Sequence, residues 1–423
     1  MLPGRQHWNW IPTLYFTEGI PFIAITLVSL IFYKQMGLSN AEITFYTSWL
    51  YLPWVIRPLW RPFQRLAFSR RWWVSTAQLL IGASLGGVAF TISSPLWFQG
   101  SQFFFWAIAF AAATHDNITD ELYEQNVNHD NTHLFLGGRA VFHNLANIVG
   151  QGILIMLAGN LQLIYRNSIS YSWSIAFYGL AGLTIALWLW NHYTLPYNHR
   201  PEHAHAFMPK NMWTDTLHTL RSFFSNPSGK HLLPLLLYCS AYGLLSKVAI
   251  LFLIDASHNG GLGLAPQEYG FVQGTLGVFA LSLGGIAAGL YDKHTDHRYT
   301  IRLLLAAILL PPLAYVTLSY TLPGSLAAIS CCVVIALFST GFGSLLYGSL
   351  LINQIKNSFF PKDDNSSPSP YTIARATLVL ALMVPGLFSG LLQEAIGYRL
   401  FFILTLLASG VLLKAALYFN KVE

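Results

Sequence analysis

Charge is what this sequence has least of. Asp, Glu, Lys and Arg make up 9% of its 423 residues, against about 25% in soluble domains, so a water-soluble fold of this size is excluded. Cysteine is almost as scarce: Cys239, Cys331 and Cys332 all fall in apolar runs, and two are adjacent. Neither a disulfide framework nor zinc spacing follows, and the histidines at His129, His133, His143, His199, His203 and His205 match no zinc pattern. A Gly-Lys-Ser/Thr phosphate loop is missing, which argues against ATP-driven pumping by this chain. So are a nucleophile elbow and an HExxH pair, which argues against an enzyme. No cleavable leader is expected, because the first apolar run carries Glu18 and lacks a small-x-small cleavage site. No cofactor and no metal is implied.

What is present is apolar. Hydrophobic residues make up 54% of the chain, aromatics 15%, and there are 13 Trp; mean hydropathy is +0.48. Trp and Tyr settle at the headgroup layer, so the aromatic load suits many membrane crossings. A helix needs about 20 residues to cross the hydrocarbon. Apolar runs of that order lie at 12–33, 42–63, 72–94, 97–120, 137–160 and 171–193, then at 231–254, 268–291, 300–320, 325–353, 371–393 and 397–419. Between the two sets the chain turns polar and is broken by Pro196, Pro201, Pro209 and Pro227. The expected fold is an all-α polytopic membrane protein with twelve transmembrane helices. An N-terminal six-helix bundle covers 1–195, a cytoplasmic connector 196–230, and a C-terminal six-helix bundle 231–423.

Loop charges orient this chain. One face holds most of the cations, including Arg61, Arg65, Arg70, Arg71, Lys293 and Arg298, while the other has Lys34, Arg166 and Arg399. The bias places both termini in the cytoplasm. It also accounts for the net charge of +6 without a nucleic-acid partner.

The two halves echo each other. Gly37-Leu38-Ser39-Asn40-Ala41-Glu42 follows the first helix, and Gly263-Leu264-Ala265-Pro266-Gln267-Glu268 follows the seventh. Ser39 with Glu42 forms a capping-box pattern, and Pro266 suits a first helical turn. Such an echo supports a duplicated 6+6 transporter with its site between the halves. Gly285-x-x-x-Gly289-x-x-Asp292-Lys293, followed by Arg298, resembles the cytoplasmic loop motif of the major facilitator superfamily. Its glycines would permit close helix approach, and Asp292, Lys293 and Arg298 would gate the cytoplasmic end; topogenic charge alone is the plainer reading.

Ionisable groups at membrane depth are functional suspects by default. Glu18, beside the helix-weakening Gly19 and Pro21, reads as a cavity-facing proton carrier or solute contact, or as a carboxyl bonded to a neighbouring helix. His115, Asp116 and Asp120 end the fourth helix. The two acids share a helical face, and Arg139 is their natural partner. This cluster is a proton site, a charged gate or a solvated interfacial group. Lys247, halfway along the seventh helix, is placed to neutralise an anionic solute or to pair with Glu18 across the halves. Arg375 and Glu394 read as interface anchors.

Several segments together resemble the AmpG-type muropeptide permeases of the peptide/acetyl-CoA transporter family. They are Tyr15-Phe16-Thr17-Glu18-Gly19-Ile20-Pro21, Arg57-Pro58-Leu59-Trp60, Thr114-His115-Asp116-x-x-x-Asp120-x-x-Tyr123 and Pro385-Gly386-Leu387-Phe388-Ser389-Gly390. The resemblance implies a major facilitator fold in a bacterial inner membrane and proton-driven import of a cell-wall-derived muropeptide, or of a ferric siderophore as in related permeases. The chain departs from it at Cys239 and Tyr242, where relatives carry a charged pair, and at Asn144, where they carry an arginine. Lys247, Tyr242, Asn144 and Tyr347 are the expected solute contacts, the tyrosines by stacking. Small solute, protons and lipid bilayer are the expected partners of a monomer. The opposing class is a non-transporting receptor or scaffold.

Overall fold

The structure, a computed structural model, describes residues 9–59, 69–126, 141–166, 168–195, 212–225, 232–292, 303–304, 307–359 and 370–419. Its apolar runs form helices, as they must where no water is present to satisfy backbone groups. In chain order, the first six spans are Ile11–Gln35, Asn40–Trp49 continued by Leu52–Val55, Arg70–Thr91, Trp97–Asn126, Val141–Ile164 and Ile169–Thr194. The seventh to tenth are Leu233–Ile254, Pro266–Tyr291, Leu310–Thr321 and Leu326–Phe359. The last two form one helical run, Pro370–Phe419, broken at Gly397, whose φ of 75° and ψ of 165° no α-helix accommodates. The fold is therefore the expected twelve-span α-helical one. Among the described residues, eight helices are long and apolar enough by themselves to cross a membrane.

Local chemistry explains most boundaries. Ser39 Oγ accepts from Glu42 N at 3.2 Å while Glu42 Oε2 accepts from Ser39 N at 3.0 Å, so the expected capping box opens the second span. Pro266 occupies the first turn of the eighth span, and Glu268 Oε2 accepts from Ala265 N at 2.9 Å. The second span is interrupted near Leu50 and Tyr51, and Pro53 starts its second segment. Pro21 lies inside the first span. That helix does not end there but widens into a π-helical segment, Ala24–Val28. Two more π-helical segments occur, Ile148–Leu154 in the fifth span and Gly270–Leu276 in the eighth.

Small residues set the helix spacing within and between the halves. A Cβ on Gly284 would strike Phe338 O, and one on Gly341 would strike Leu281 O, so the eighth and tenth spans touch backbone to backbone. The close approach expected at Gly285 and Gly289 is thus one register off: there a Cβ would meet its nearest neighbours at 3.8 and 3.7 Å, ordinary contact. Gly152 and Gly274 bring the fifth and eighth spans together; a Cβ on Gly274 would lie 2.5 Å from Gln151 C.

The polar connector holds a feature its composition hides. Met212–Ser225 is an amphipathic helix that tucks Leu220 and Phe223 against the C-terminal half and leaves Leu217 and Phe224 exposed.

The core has a distinctive division. Away from the termini, one apolar cluster runs through both halves, from Ile20, Phe32 and Phe177 to Phe252, Tyr315 and Phe402. Toward the termini it gives way to two separate clusters. One, around Trp10, Leu14 and Val74, belongs to the N-terminal half, and the other, around Leu235, Leu304 and Ile373, to the C-terminal half. The halves are therefore fused at the end distal to the termini and divided at the other.

Candidate functional site

Where the core divides, a cavity of about 520 Å³ lies between the halves. Pockets for drug-sized ligands commonly fall within about 300–1,000 Å³. The first, second and fifth spans supply one wall, with Phe22, Tyr51, Asn144 and Gln151; the seventh to eleventh spans supply the other, with Tyr238, Lys247, Gln273 and Tyr315. The three π-helical segments all reach it, through Thr26 and Leu27, Gln151, and Gln273. Such widened turns re-aim side chains that a regular helix would carry past.

The structure brings all four sequence-derived contacts to this one cavity: Lys247, Tyr242, Asn144 and Tyr347. Lys247 is 3% exposed and donates to Thr47 Oγ1 at 2.8 Å. Thr47 commits its own hydroxyl proton to Ile43 O at 2.6 Å, so its oxygen acts as acceptor. The ammonium also lies 5.2 Å from the centre of the Tyr51 ring, within cation–π range. Tyr242 is 37% exposed. Tyr347 stacks on Tyr238 with ring centroids 5.6 Å apart. Asn144 donates to Ser282 Oγ at 2.9 Å, a link across the halves.

Glu18 is buried but is not among the residues that line the cavity. Nor does it pair with Lys247, which reaches Thr47 and Tyr51 instead: the second span, rather than the first, faces the lysine. His115 is fully buried inside the N-terminal half. Its Nε2 is 3.0 Å from Gln78 Nε2, and Gln78 Oε1 accepts from Asn191 Nδ2 at 3.3 Å. Asn191 Oδ1 in turn accepts from Thr13 at 2.6 Å. Asp116 Oδ2 accepts from Trp54 Nε1 at 2.8 Å. These contacts tie His115 and Asp116 to the packing of their own half, and neither lines the cavity. The side chains of Asp120 and Asp292, and all of Arg139, Lys293 and Arg298, lie outside the described residues.

Sequence reading missed the polar closure of the distal end. Asp255, the residue following the seventh span, sits 3.1 Å from Lys34 of the first span. Lys34 also donates to Asn40 Oδ1 at 2.8 Å. Asn40 Nδ2 lies within reach of Asp255 Oδ2 (3.2 Å), Gln393 Oε1 (2.7 Å) and Tyr398 Oη (2.8 Å). Tyr398 Oη donates to Asp255 Oδ2 at 2.8 Å, and Asn259 Nδ2 to Oδ1 at 3.1 Å. Burial pushes the Asp255 carboxyl up, but the bonds from Asn259 and Tyr398 and the Lys34 ammonium outweigh it and hold the group below the usual carboxylate range. Glu394, expected to be an interface anchor, accepts from Ala41 N at 2.9 Å and so joins the halves. The one available signal was a charge of each sign at two loop edges on the same face; nothing in the spacing paired them. Deeper in the same interface, Gln151 donates to Tyr269 Oη at 2.9 Å.

No protein-family model matches the chain, and no curated protein matches it in sequence. Solved structures do match. The nucleoside transporter NupG superposes with a TM-score of 0.70 at 14% identity, covering 100% of each chain. A bacterial homologue of the human lysosomal transporter Spinster, inward-facing and occupied, gives 0.68 at 15% identity, over 100% of this chain and 97% of that one. The xylose transporter XylE from E. coli, partially occluded and inward open, gives 0.65 at 12% identity, over 96% of this chain and 97% of that one. Likeness at such low identity establishes the fold alone: a twelve-helix, 6+6 architecture of the major facilitator type.

Proposed function

We propose that the protein is a secondary active transporter that carries a small organic solute across a membrane by alternating access of its two halves. The observation behind this reading is the divided core: one apolar cluster joins the halves distally, two separate clusters flank them near the termini, and the cavity lies at the division. A site between two repeats near mid-membrane is what rocking of one half against the other requires. In this reading the molecule rests inward-facing in a bacterial inner membrane as a monomer, with cytoplasmic termini and the proton gradient driving import. Lys247, Tyr242, Asn144 and Tyr347 contact the solute. Glu18 and the His115, Asp116 and Asp120 group carry protons, and Arg139, Asp292, Lys293 and Arg298 gate the cytoplasmic end. The sequence resemblance makes an anhydromuropeptide the first cargo to try and a ferric siderophore the second. The fold itself does not choose, because fold neighbours named for nucleosides and xylose carry unrelated chemistry.

Cys239 lines the cavity while Cys331 and Cys332 lie outside it, so a Cys331→Ser/Cys332→Ser protein carries a native reporter. A second reporter is Ser48→Cys, at a buried position beneath the distal closure. A transporter labels at Cys239 from the terminus side, and imposing a solute or proton gradient exchanges that label for distal labelling at position 48. One fixed pattern under every gradient means a receptor or scaffold. Gradient-driven uptake of muropeptide or ferric siderophore into proteoliposomes then identifies the cargo.

A further inference from the structure

The cavity wall carries a charge that the protein itself does not answer. Lys247 is nearly fully buried, yet no carboxylate lies within 4.0 Å of it among the described residues, and the ion pair found there is the distal Lys34–Asp255 contact. A hydroxyl and a ring face are weak compensation for an ammonium held out of water. Thr47 takes one of its three N–H donors, and the ring is an attraction without a hydrogen bond. Among the described residues no Asp, Glu or Arg lines the cavity, and Lys247 and His143 are its basic side chains. Around it stand Phe22, Tyr51, Tyr238, Tyr242, Tyr315 and Tyr347, broad faces suited to a flat apolar body. Gln273 adds a second unanswered group: it lines the cavity at 6% exposure, and its Oε1 is buried with no hydrogen-bond partner. A buried acceptor left in this way calls for a donor from outside the chain.

We propose that this cavity takes organic monoanions: a carboxylate-like head against Lys247, a planar apolar body along the tyrosines, and a hydrogen-bond donor within reach of Gln273. Solutes that would bury a free ammonium are rejected, since the wall offers them a like charge and no carboxylate. The selectivity names a cargo class for the site assigned above and rests on that assignment, but it is a property of binding and is read without transport.

Three fluorescent probes that differ in the head alone provide the test: dansylglycine (carboxylate), dansylglycinamide (neutral) and dansylethylenediamine (ammonium), titrated into the full chain in neutral-lipid nanodiscs against empty discs. The sulfonamide N–H common to all three serves Gln273. Dansylglycine is expected to bind at least about tenfold more tightly than the amide, the usual worth of a charge-assisted hydrogen bond, and the amine most weakly. In Lys247→Gln the carboxylate-to-amide ratio falls to near one. In Thr47→Val, which keeps the ammonium and removes one of its partners, the ratio rises. Equal affinities, tightest binding by the amine, binding of none of the three, or a ratio unmoved in both variants overturns the proposal. Alternating labels without carboxylate preference would sink only this inference; carboxylate preference with fixed labels would sink only the transport reading.

Discussion

Lys34 and Lys247 both reach from one half of the molecule to the other, and they are met in opposite ways. At the distal end Lys34 finds Asp255, and Asn40, Gln393, Tyr398 and Asn259 complete a closed set of donors and acceptors around the pair. At mid-membrane Lys247 finds a threonine oxygen and a tyrosine face. The same contrast runs through the packing. Distally, Gly390 lets backbones touch across the halves; beside Lys247 aromatic rings line an open volume. The protein pairs a lysine with a carboxylate where the halves hold each other, and at the cavity wall leaves one with no carboxylate among the described residues.

That contrast can be broken in order of expected effect. The largest change is at Gly390, where any Cβ collides with Asn40 O and Thr44 Oγ1 of the other half. Gly390→Val should obstruct distal closure at about 3 kcal/mol, the upper end of overpacking because a backbone atom stands in the way, or about a hundredfold in closed population. Distal cysteine labelling that stays high in every condition is the expected readout, and wild-type labelling would refute the role. Next, Thr47→Asp gives Lys247 a carboxylate and makes the two lysines alike. The carboxylate-over-amide preference of the dansyl probes should fall by about tenfold, since the protein now answers the charge itself; an undiminished preference would mean Lys247 does not read the head.

Asp255→Asn is smaller. It removes the ion pair but keeps a side chain that still hydrogen-bonds, and Lys34 is 19% exposed, so water shares the loss. A cost of about 1 kcal/mol, a several-fold rise in distal labelling, is expected. A Lys34→Met/Asp255→Asn double variant should show less than additive loss, and strict additivity would deny the pairing. The smallest effect is that of pH. Because the folded Asp255 is held below the ordinary carboxylate value of about 3.9, its stabilisation of the closure is fully present above that value and is lost as pH falls through the lower one. Distal labelling should therefore be flat between about pH 5 and 8, and a midpoint in that window would assign the closure to another group.

Much of the architecture could be read from one sequence because bilayer-spanning helices announce themselves by length and apolarity, and the Ser39–Glu42 cap and Pro266 mark where two of them start. Lys247 was legible because a cation at membrane depth needs a destination other than lipid, whereas Tyr242 and Asn144 stood out only as departures from the permease resemblance, and Tyr347 only as an aromatic suited to stacking; all four line the cavity. Pairings were not legible. Asp255 lies far from Lys34 in sequence, and local pattern carries no information about which loop edges meet. Gln151 and Gln273 were passed over because regular helical spacing does not predict the widened turns that turn them toward the cavity. Lys247 shows the converse error: a buried cation suggested Glu18 as partner, whereas the second span supplies Thr47 and Tyr51. The close-packed glycine register slipped by one position, from Gly285 to Gly284, since both fit a small-residue pattern and only the neighbouring backbone distinguishes them.

The widened turns at Ala24–Val28, Ile148–Leu154 and Gly270–Leu276 bear on how such a molecule can change over generations. Each holds more residues per turn than the helix on either side, so each can act as a joint at which chain length is adjustable. Deleting one residue there would return the segment toward α geometry and absorb the change locally, so the span beyond keeps its place while a neighbour takes the position of Gln151 or Gln273 at the wall. The lining of the cavity could then change through a single codon lost or gained, with no substitution elsewhere in the chain.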